Sequence, residues 1–445
     1  MERHSPGPWY PLYALAVLLL INVSNYADRQ ALHSLEKPVI DEFALSAREF
    51  GTLATAFVVA YSLCALPLGY LSDRWLRKNV IACGVVVWSM ATTACAFCQT
   101  YNQLFVARAL TGVGEAACVP SALAMISDYF PRKHRAKAVA AFAGAMLVGG
   151  GLGYMLGAVF AAGGSGVAGP IPEWRKTFLV LGPPGFVLAW LAFRLVEPQR
   201  GVTEEFLPLA HGRISTRDLA TVLCIPSFIV FTISSIFFYF ALGALQVFGP
   251  RFFRIYRGMD IRVAAALLGV AGIPAAALGL PSAGALADWL SQRYKSGPLL
   301  TVILGTALAT PCVFALLVGA PNYLCAPLAF LAIYFFCFTA VPAAVVVHSV
   351  VEPEARATAM GVFTLATHLL GDALGPRVVG GIADALSSLK TALLFVPASL
   401  FVSAVLAVLA LPAMGRDVDA MALRMKLRRE RELTQRGGTN AHAQG

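Results

Sequence analysis

Runs of apolar residues alternate with short polar segments along most of this chain, and the runs are about 20 residues long, the length of helix that crosses a bilayer core. The pattern predicts helical spans near residues 11–35, 50–72, 79–98, 103–126, 136–161 and 175–195. It predicts further spans near 222–248, 263–286, 298–319, 323–348, 357–384 and 389–411, twelve in all. The longest polar interruption in the interior, "VEPQRGVTEEFLPLAHGRISTRD" at 196–218, falls between the sixth and seventh spans. The expected organisation is an N-terminal six-helix bundle (1–195), a central loop (196–221), a C-terminal six-helix bundle (222–411) and a basic tail (412–445). The halves echo each other. Gly69-Tyr-Leu-Ser-Asp73 follows span two and Gly284-Ala-Leu-Ala-Asp288 follows span eight, while "SDYFPRKHRAKAVA" after span four has its counterpart in "SVVEPEARATAMGV" after span ten. Internal duplication with polar groups near the midplane is how alternating-access transporters are built.

Composition agrees with the pattern. Of 445 residues, 58% are apolar and 13% charged, against about 25% charged in soluble domains, and the mean hydropathy is +0.71. The chain reads as an integral membrane protein. Its first apolar run is long enough to span, so it is expected to remain as an anchor. The nine cysteines lie almost entirely within apolar runs, where they act as small hydrophobes. Cys95 and Cys98 have CxxC spacing without a second pair, and no metal or other cofactor is expected.

Lys and Arg placement sets the orientation. With the N-terminus cytoplasmic, Arg74, Arg77, Lys78, Arg132, Lys133, Arg135, Lys137, Arg293, Lys295, Arg356, the central loop and the tail share one side, so both termini face the cytoplasm. The segment "RFFRIYRGMDIR" is a basic exception on the other side. In the tail, Val418, Met421 and Met425 recur at helical spacing beside Arg424, Lys426, Arg428, Arg429 and Arg431, the composition of an interfacial helix on an anionic leaflet. A disordered tail is the alternative beyond Gln435. Topology and tail together account for the net charge of +10 without a nucleic-acid partner.

Ionisable residues inside spans cost at least a few kcal/mol unless they are paired or face water, and they tend to be functional. Span one carries "NYADRQ", with Asp28 next to Arg29. In span four, Arg108 and Glu115 are two helical turns apart, on one face and separated by about 10 Å along the axis. Counting along both spans brings the four charges into one layer. Adjacent helical residues diverge by about 100°, so each needs its own partner, and the expected pairs are Arg29 with Glu115 and Asp28 with Arg108. Protonating either acid would free an Arg to hold a phosphate or carboxylate headgroup. A static ion-pair network that fixes helix packing is the alternative. In span eleven, His368 and Asp372 are four apart on one face. They would form a second relay or headgroup contact, or a plain interhelical hydrogen bond. Gly149, Gly153 and Gly157 form a ladder suited to close helix packing. Span seven offers Phe237, Phe238, Tyr239 and Phe240 with Gly243 and Gln246 as a surface for a lipid tail.

The loop Gly69 to Lys78 resembles the major facilitator superfamily signature G-x3-D-[RK]-x-G-[RK]-[RK], with Leu76 at the usual second glycine. This resemblance implies a cytoplasmic gate of Gly69, Asp73, Arg74, Arg77 and Lys78, with Asp73 latched by Arg135 and Asp128 in the same network. "NYADRQAL", "RALTGVGEAA", "FALGALQVFGPRFF" and "THLLGDALGP" are similar to the Spinster branch of that superfamily, over most of residues 15–385. Spinster-like proteins are linked to the movement of lysophospholipids and sphingolipid signals, with proton coupling proposed, so the resemblance implies a lipid-like amphipathic cargo.

The expected fold is an all-α polytopic membrane protein of major facilitator type, two pseudo-symmetric six-helix bundles around one cavity. The expected function is secondary active transport by alternating access, coupled to protons through Asp28, Arg29, Arg108, Glu115, His368 and Asp372. A lysophospholipid, a sphingolipid-like molecule or another amphipathic anion would be the cargo. The expected partners are that cargo, protons and membrane lipids, for a monomer in a bacterial inner membrane. A carrier of small organic anions or drugs is the nearest alternative. A membrane enzyme would need a positioned catalytic group near water, and only His368 and Asp372 approach that description. A channel would need a continuous polar lining, which charges clustered in one half do not supply.

Overall fold

The computed structural model describes residues 9–161, 172–198, 221–352 and 355–442, and every regular element among them is helical. The first half runs through α1 (Tyr10–Ser34), α2 (Glu36–Phe43), α3 (Ala47–Arg74), α4 (Arg77–Cys95), α5 (Tyr101–Glu115), α6 (Cys118–Tyr129), α7 (Arg132–Ala161), α8 (Glu173–Leu181) and α9 (Pro184–Arg194). The second half runs through α10 (Pro226–Arg257), α11 (Ile261–Ser291), α12 (Gly297–Val318), α13 (Asn322–Val350), α14 (Arg356–Thr367), α15 (Leu374–Leu386), α16 (Leu389–Leu393) and α17 (Phe395–His442).

Among the described residues, eleven helical stretches are long and apolar enough to cross a membrane. The crossing expected at 357–384 is α14 and α15 joined by a five-residue π-turn, His368–Asp372. Three other crossings are interrupted rather than straight: α5 gives way to α6 at Ala116–Ala117, α16 to α17 at Leu394, and α8 to α9 at Gly182–Pro183, where proline has no N–H to continue the ladder. Most of the central loop, 199–220, lies outside the described residues.

The spans run alternately up and down, giving a near end, where α1 begins and α17 projects, and a far end, where α2 and α16 lie. α1 and α7 are knitted together by the glycine ladder. A Cβ on Gly149, Gly153 or Gly157 would stand 2.3, 2.2 or 2.4 Å from the carbonyl oxygens of Val23, Ala27 and Ala31. No side chain fits at those positions, so α1, with Asp28 and Arg29 on it, is fixed to α7 at backbone distance. The halves meet along α3 with α15 and along α7 with α11. At the second seam, Gly151 and Gly269 face each other across the crossing.

Helix α17 is 48 residues long and continues unbroken through 411–412. At 1.5 Å per residue it extends about 72 Å, more than twice a bilayer core. Its root docks on the second half: Asp417 Oδ2 accepts the Ser227 amide at 2.9 Å, Lys295 Nζ meets Asp419 at 2.6 Å, and Arg424 meets Glu352 at 3.8 Å. Val418 packs on the apolar core of that half. The side chains of Arg428, Arg429 and Arg431 lie outside the described residues.

Candidate functional site

The charges expected in one layer do converge. Asp28, Arg108 and Glu115 are each no more than 1% exposed. Arg108 Nη1 approaches Asp28 Oδ2 at 3.4 Å, and the Thr92 hydroxyl of α4 donates to the same oxygen at 2.9 Å. The expected pair of Arg29 with Glu115 is not formed. Both oxygens of the Glu115 carboxyl, and Oδ1 of Asp28, are instead buried without a hydrogen-bond partner. A carboxylate buried with neither oxygen bonded is costly unless it takes up a proton.

Arg29 is held by rings instead. Its guanidinium lies 4.6 Å from the Phe57 centroid, 5.1 Å from Tyr61 and 5.6 Å from Tyr26. Arg108 lies over Phe57 as well, at 5.2 Å. The physical reason for the departure is that α3 places aromatic faces where the four-charge scheme left the position open, and a guanidinium stacks well on such faces. Arg29 Nη2 is buried without a hydrogen-bond partner, and among the described residues Arg29 forms no ion pair.

Arg29 and Arg108 border a cavity of about 30 Å³ at the meeting of the halves, room for about two waters. Phe57 and Val58 of α3, His33 of α1, Gly243 and Gln246 of α10, and Asp372 of the π-turn complete its wall. Asp372 Oδ2 is 3.3 Å from His368 Nδ1, as the four-residue spacing predicts, and His368 lies 5.4 Å from the Tyr239 ring. The π geometry of these residues has no counterpart in the sequence expectation. Single π-turns inserted in α-helices recur at functional sites. Of the aromatic run in α10, Phe238 is buried in the core and Tyr239 faces His368, so the four rings do not form one surface.

At the near end, Arg77 bonds Asp128 and is 11% exposed against 9% for its partner. Arg74 stacks on Tyr70 at 4.4 Å, and Lys78 lies 5.7 Å from Phe193. Gly69 has open space around it, with no atom within 4 Å of a Cβ built there. Arg135 is half-buried in the first turn of α7, while the side chain of Asp73 lies outside the described residues. Glu197, absent from the sequence expectation, caps α4 by accepting the Arg77 and Lys78 amides at 3.1 Å each.

The sequence profile of the Major Facilitator Superfamily matches residues 18–376. Protein spinster of Drosophila melanogaster is 32% identical over 84% of this chain, which spans 62% of that longer protein. Protein spinster homolog 3 of Homo sapiens is 30% identical over 85% of this chain and 76% of its own length. The chain belongs to the Spinster family. This Spinster-family member is also 28% identical to the mouse sphingosine-1-phosphate transporter SPNS2, over 83% of its own length and 69% of the relative's. Its fold matches a crystal structure of a bacterial homolog to the human lysosomal transporter Spinster, inward-facing and unoccupied. The TM-score is 0.77 at 23% identity, covering 94% of this chain and 98% of the other. The protein is thus a membrane transporter of Spinster type.

The sequence expectation for this Spinster-family chain also missed the far end. Asp384 Oδ1 and Oδ2 accept the Ala47 and Arg48 amides at 2.9 and 2.8 Å. Glu36 receives Arg251 at 2.8 Å. A signal for the first was present: Gly380-x3-Asp384 repeats the spacing of Gly69-x3-Asp73 and Gly284-x3-Asp288. His33 was missed too; its Nδ1 lies 2.8 Å from Gln30 Oε1, and its ring lines the cavity.

Proposed function

We propose that this protein is a secondary active transporter that works by alternating access and moves an amphipathic anion of lysophospholipid or sphingolipid type together with a proton. The observation that carries the reading is the division of labour between the two arginines. Arg108 serves Asp28, Glu115 is buried with neither oxygen bonded, so that in this reading the pair of acids holds one proton, and Arg29 is left at the cavity wall with a buried, unbonded Nη2. An anionic headgroup entering the cavity meets Arg29 as a charge-assisted donor. When the pair loses its proton, the second negative charge competes for Arg29 and the headgroup is displaced. Proton and anion then favour each other's binding, and that coupling is reciprocal. The sphingosine-1-phosphate named for the mouse relative supports a phosphate-bearing lipid. The two halves are the moving bodies, the near end with both termini is cytoplasmic, and the resident membrane is a bacterial inner membrane.

The test is uptake by proteoliposomes of labelled lysophosphatidate and sphingosine-1-phosphate, with and without an imposed pH gradient. The gradient accelerates uptake in the wild type. Glu115→Gln still transports but loses that dependence, and Arg29→Gln weakens cargo binding about tenfold to a hundredfold, the loss expected of hydrogen bonds to a charged group. A well-folded Glu115→Gln with unaltered pH dependence sinks the coupling. Uptake of small organic anions alone sinks the lipid cargo.

A further inference from the structure

Among the described residues, two charged contacts between the halves lie at the far end, outside the cavity chemistry, and each rests on a carboxylate. Asp384, at the end of α15 in the second half, covers the amides of Ala47 and Arg48 at the first turn of α3 in the first half. Gly380, one turn earlier, leaves room for this approach, since a Cβ there would stand 2.5 Å from the Ala47 carbonyl oxygen. Glu36, in α2 of the first half, is 3% exposed and receives Arg251 of α10 in the second. Glu36 Oε2 is buried without a partner, while the Arg251 side chain is 27% exposed. A cleft of about 330 Å³ bordered by Ala47, Arg251, Tyr256, Asp384 and Ser387 brings water to the seam.

We propose that Asp384 and Glu36 are the gate of the far end, each crossing the interface between the halves, and that acid on that side holds the gate shut while alkali loosens it. The inference rests on the alternating-access reading, because a gate needs a second, open state.

The direction of the pH effect follows from burial. A carboxylate with one oxygen unbonded and a partner that keeps part of its hydration is under-compensated, so desolvation outweighs the attraction of the pair. Burial therefore pushes Glu36 up to about 7, against the pull of Arg251 and Arg254. The other charged groups nearby are engaged elsewhere: Lys37 with Asp41 on α2, Glu42 with Arg175 of α8, and Glu49 of α3 with the Ser46 amide. Arg48 of α3 lays its side chain along Gly381. His33 of α1 is bound to Gln30. Once the far end opens, Glu36 is solvated and returns to the usual value of about 4.3. Between those two values the shut state binds a proton that the open state does not, so acid favours the shut state and the bias fades as pH rises through about 7. Between pH 5.5 and 7.5 the shut-to-open ratio changes about twentyfold. Asp384, bonded through both oxygens, supplies closure that does not depend on this titration.

Hydrogen–deuterium exchange of the full chain in lipid nanodiscs tests the proposal, with rates corrected for intrinsic pH dependence. In the wild type, protection at residues 47–50 and 249–257 is expected to be about twentyfold higher at pH 5.5 than at 7.5. Glu36→Gln is expected to stay protected at both, because the neutral amide mimics the protonated group. Asp384→Ala is expected to lose at least tenfold protection at 47–50 at every pH, and Asp384→Asn, which keeps one acceptor, to lose less and to stand in if the alanine variant does not fold. Glu36→Gln that keeps the wild-type pH dependence overturns the proton-sensitive role. Asp384 variants with wild-type protection overturn the latch. If far-end exchange changes as expected while near-end segments 74–80 and 128–132 show no opposite change, the gate stands and alternating access fails.

Discussion

Asp28 is held by two groups of unlike strength, a threonine hydroxyl at 2.9 Å and a guanidinium at 3.4 Å, while Glu115 is buried with neither oxygen bonded. Among the described residues, Arg108 is thus the one cation directly bonded in a nearly dry cluster. Arg108→Met strands the carboxylate and is expected to cost about 3–5 kcal/mol of stability, whereas adding Asp28→Leu to it recovers much of the loss, because a buried pair is dearer to break than to replace. Thermal unfolding of the single and double variants in one detergent reads the difference. The Asp28–Arg108 pair was legible in the sequence because helical periodicity alone sets which residues share a face. The Arg29 cradle was not, since Phe57 and Tyr61 look in sequence like any aromatic residues of a membrane span. Only the packing of α3 against α5 turns them inward.

At the scale of the element, the glycine ladder on α7 has no slack. Gly153→Val places its Cβ against the Ala27 carbonyl oxygen, where a built Cβ stands at 2.2 Å. Overpacking of this kind costs about 1–3 kcal/mol, and here it also shifts the turn of α1 that carries Asp28 and Arg29. The expected outcome is a lowered melting temperature together with altered pH dependence of transport, while a substitution at Gly144, which has open space around it, leaves both unchanged. Close packing was legible because three glycines at a spacing of four have few other uses in a span. The π-turn was not. Nothing in "ATHLLGDALGP" distinguishes it from a continuous helix, and it becomes visible only where Gly371 and Gly375 seat against the backbone of α10. The broken crossing at Gly182–Pro183 carried its cause in the sequence, yet the hydropathy of the run concealed it.

Across the whole molecule, the charged contacts between described residues are wired differently at the two ends. At the near end, Arg77 with Asp128 and Glu197 with the start of α4 join parts of the first half. At the far end, Glu36 with Arg251 and Asp384 with the start of α3 join the halves. Asp128→Asn is therefore expected to lower the thermal stability by about 1.5–3 kcal/mol, the range for a hydrogen bond to a charged group, with far-end exchange unchanged. Asp384→Asn is expected to raise far-end exchange with little change in melting temperature. The division into two sets of six was readable from one polar interruption, whereas the pairing between the sets depends on which helix ends the fold brings together. Between described residues, the root of α17 is bonded only to the second half, through Asp417 to α10, Asp419 to the turn after α11 and Arg424 to the end of α13. A rod pinned at three points to one body serves as a pointer. Under the proposed alternating access, rotation of that half within the lipid would be magnified at the rod's distant tip, putting a movement hidden in the membrane on display in water.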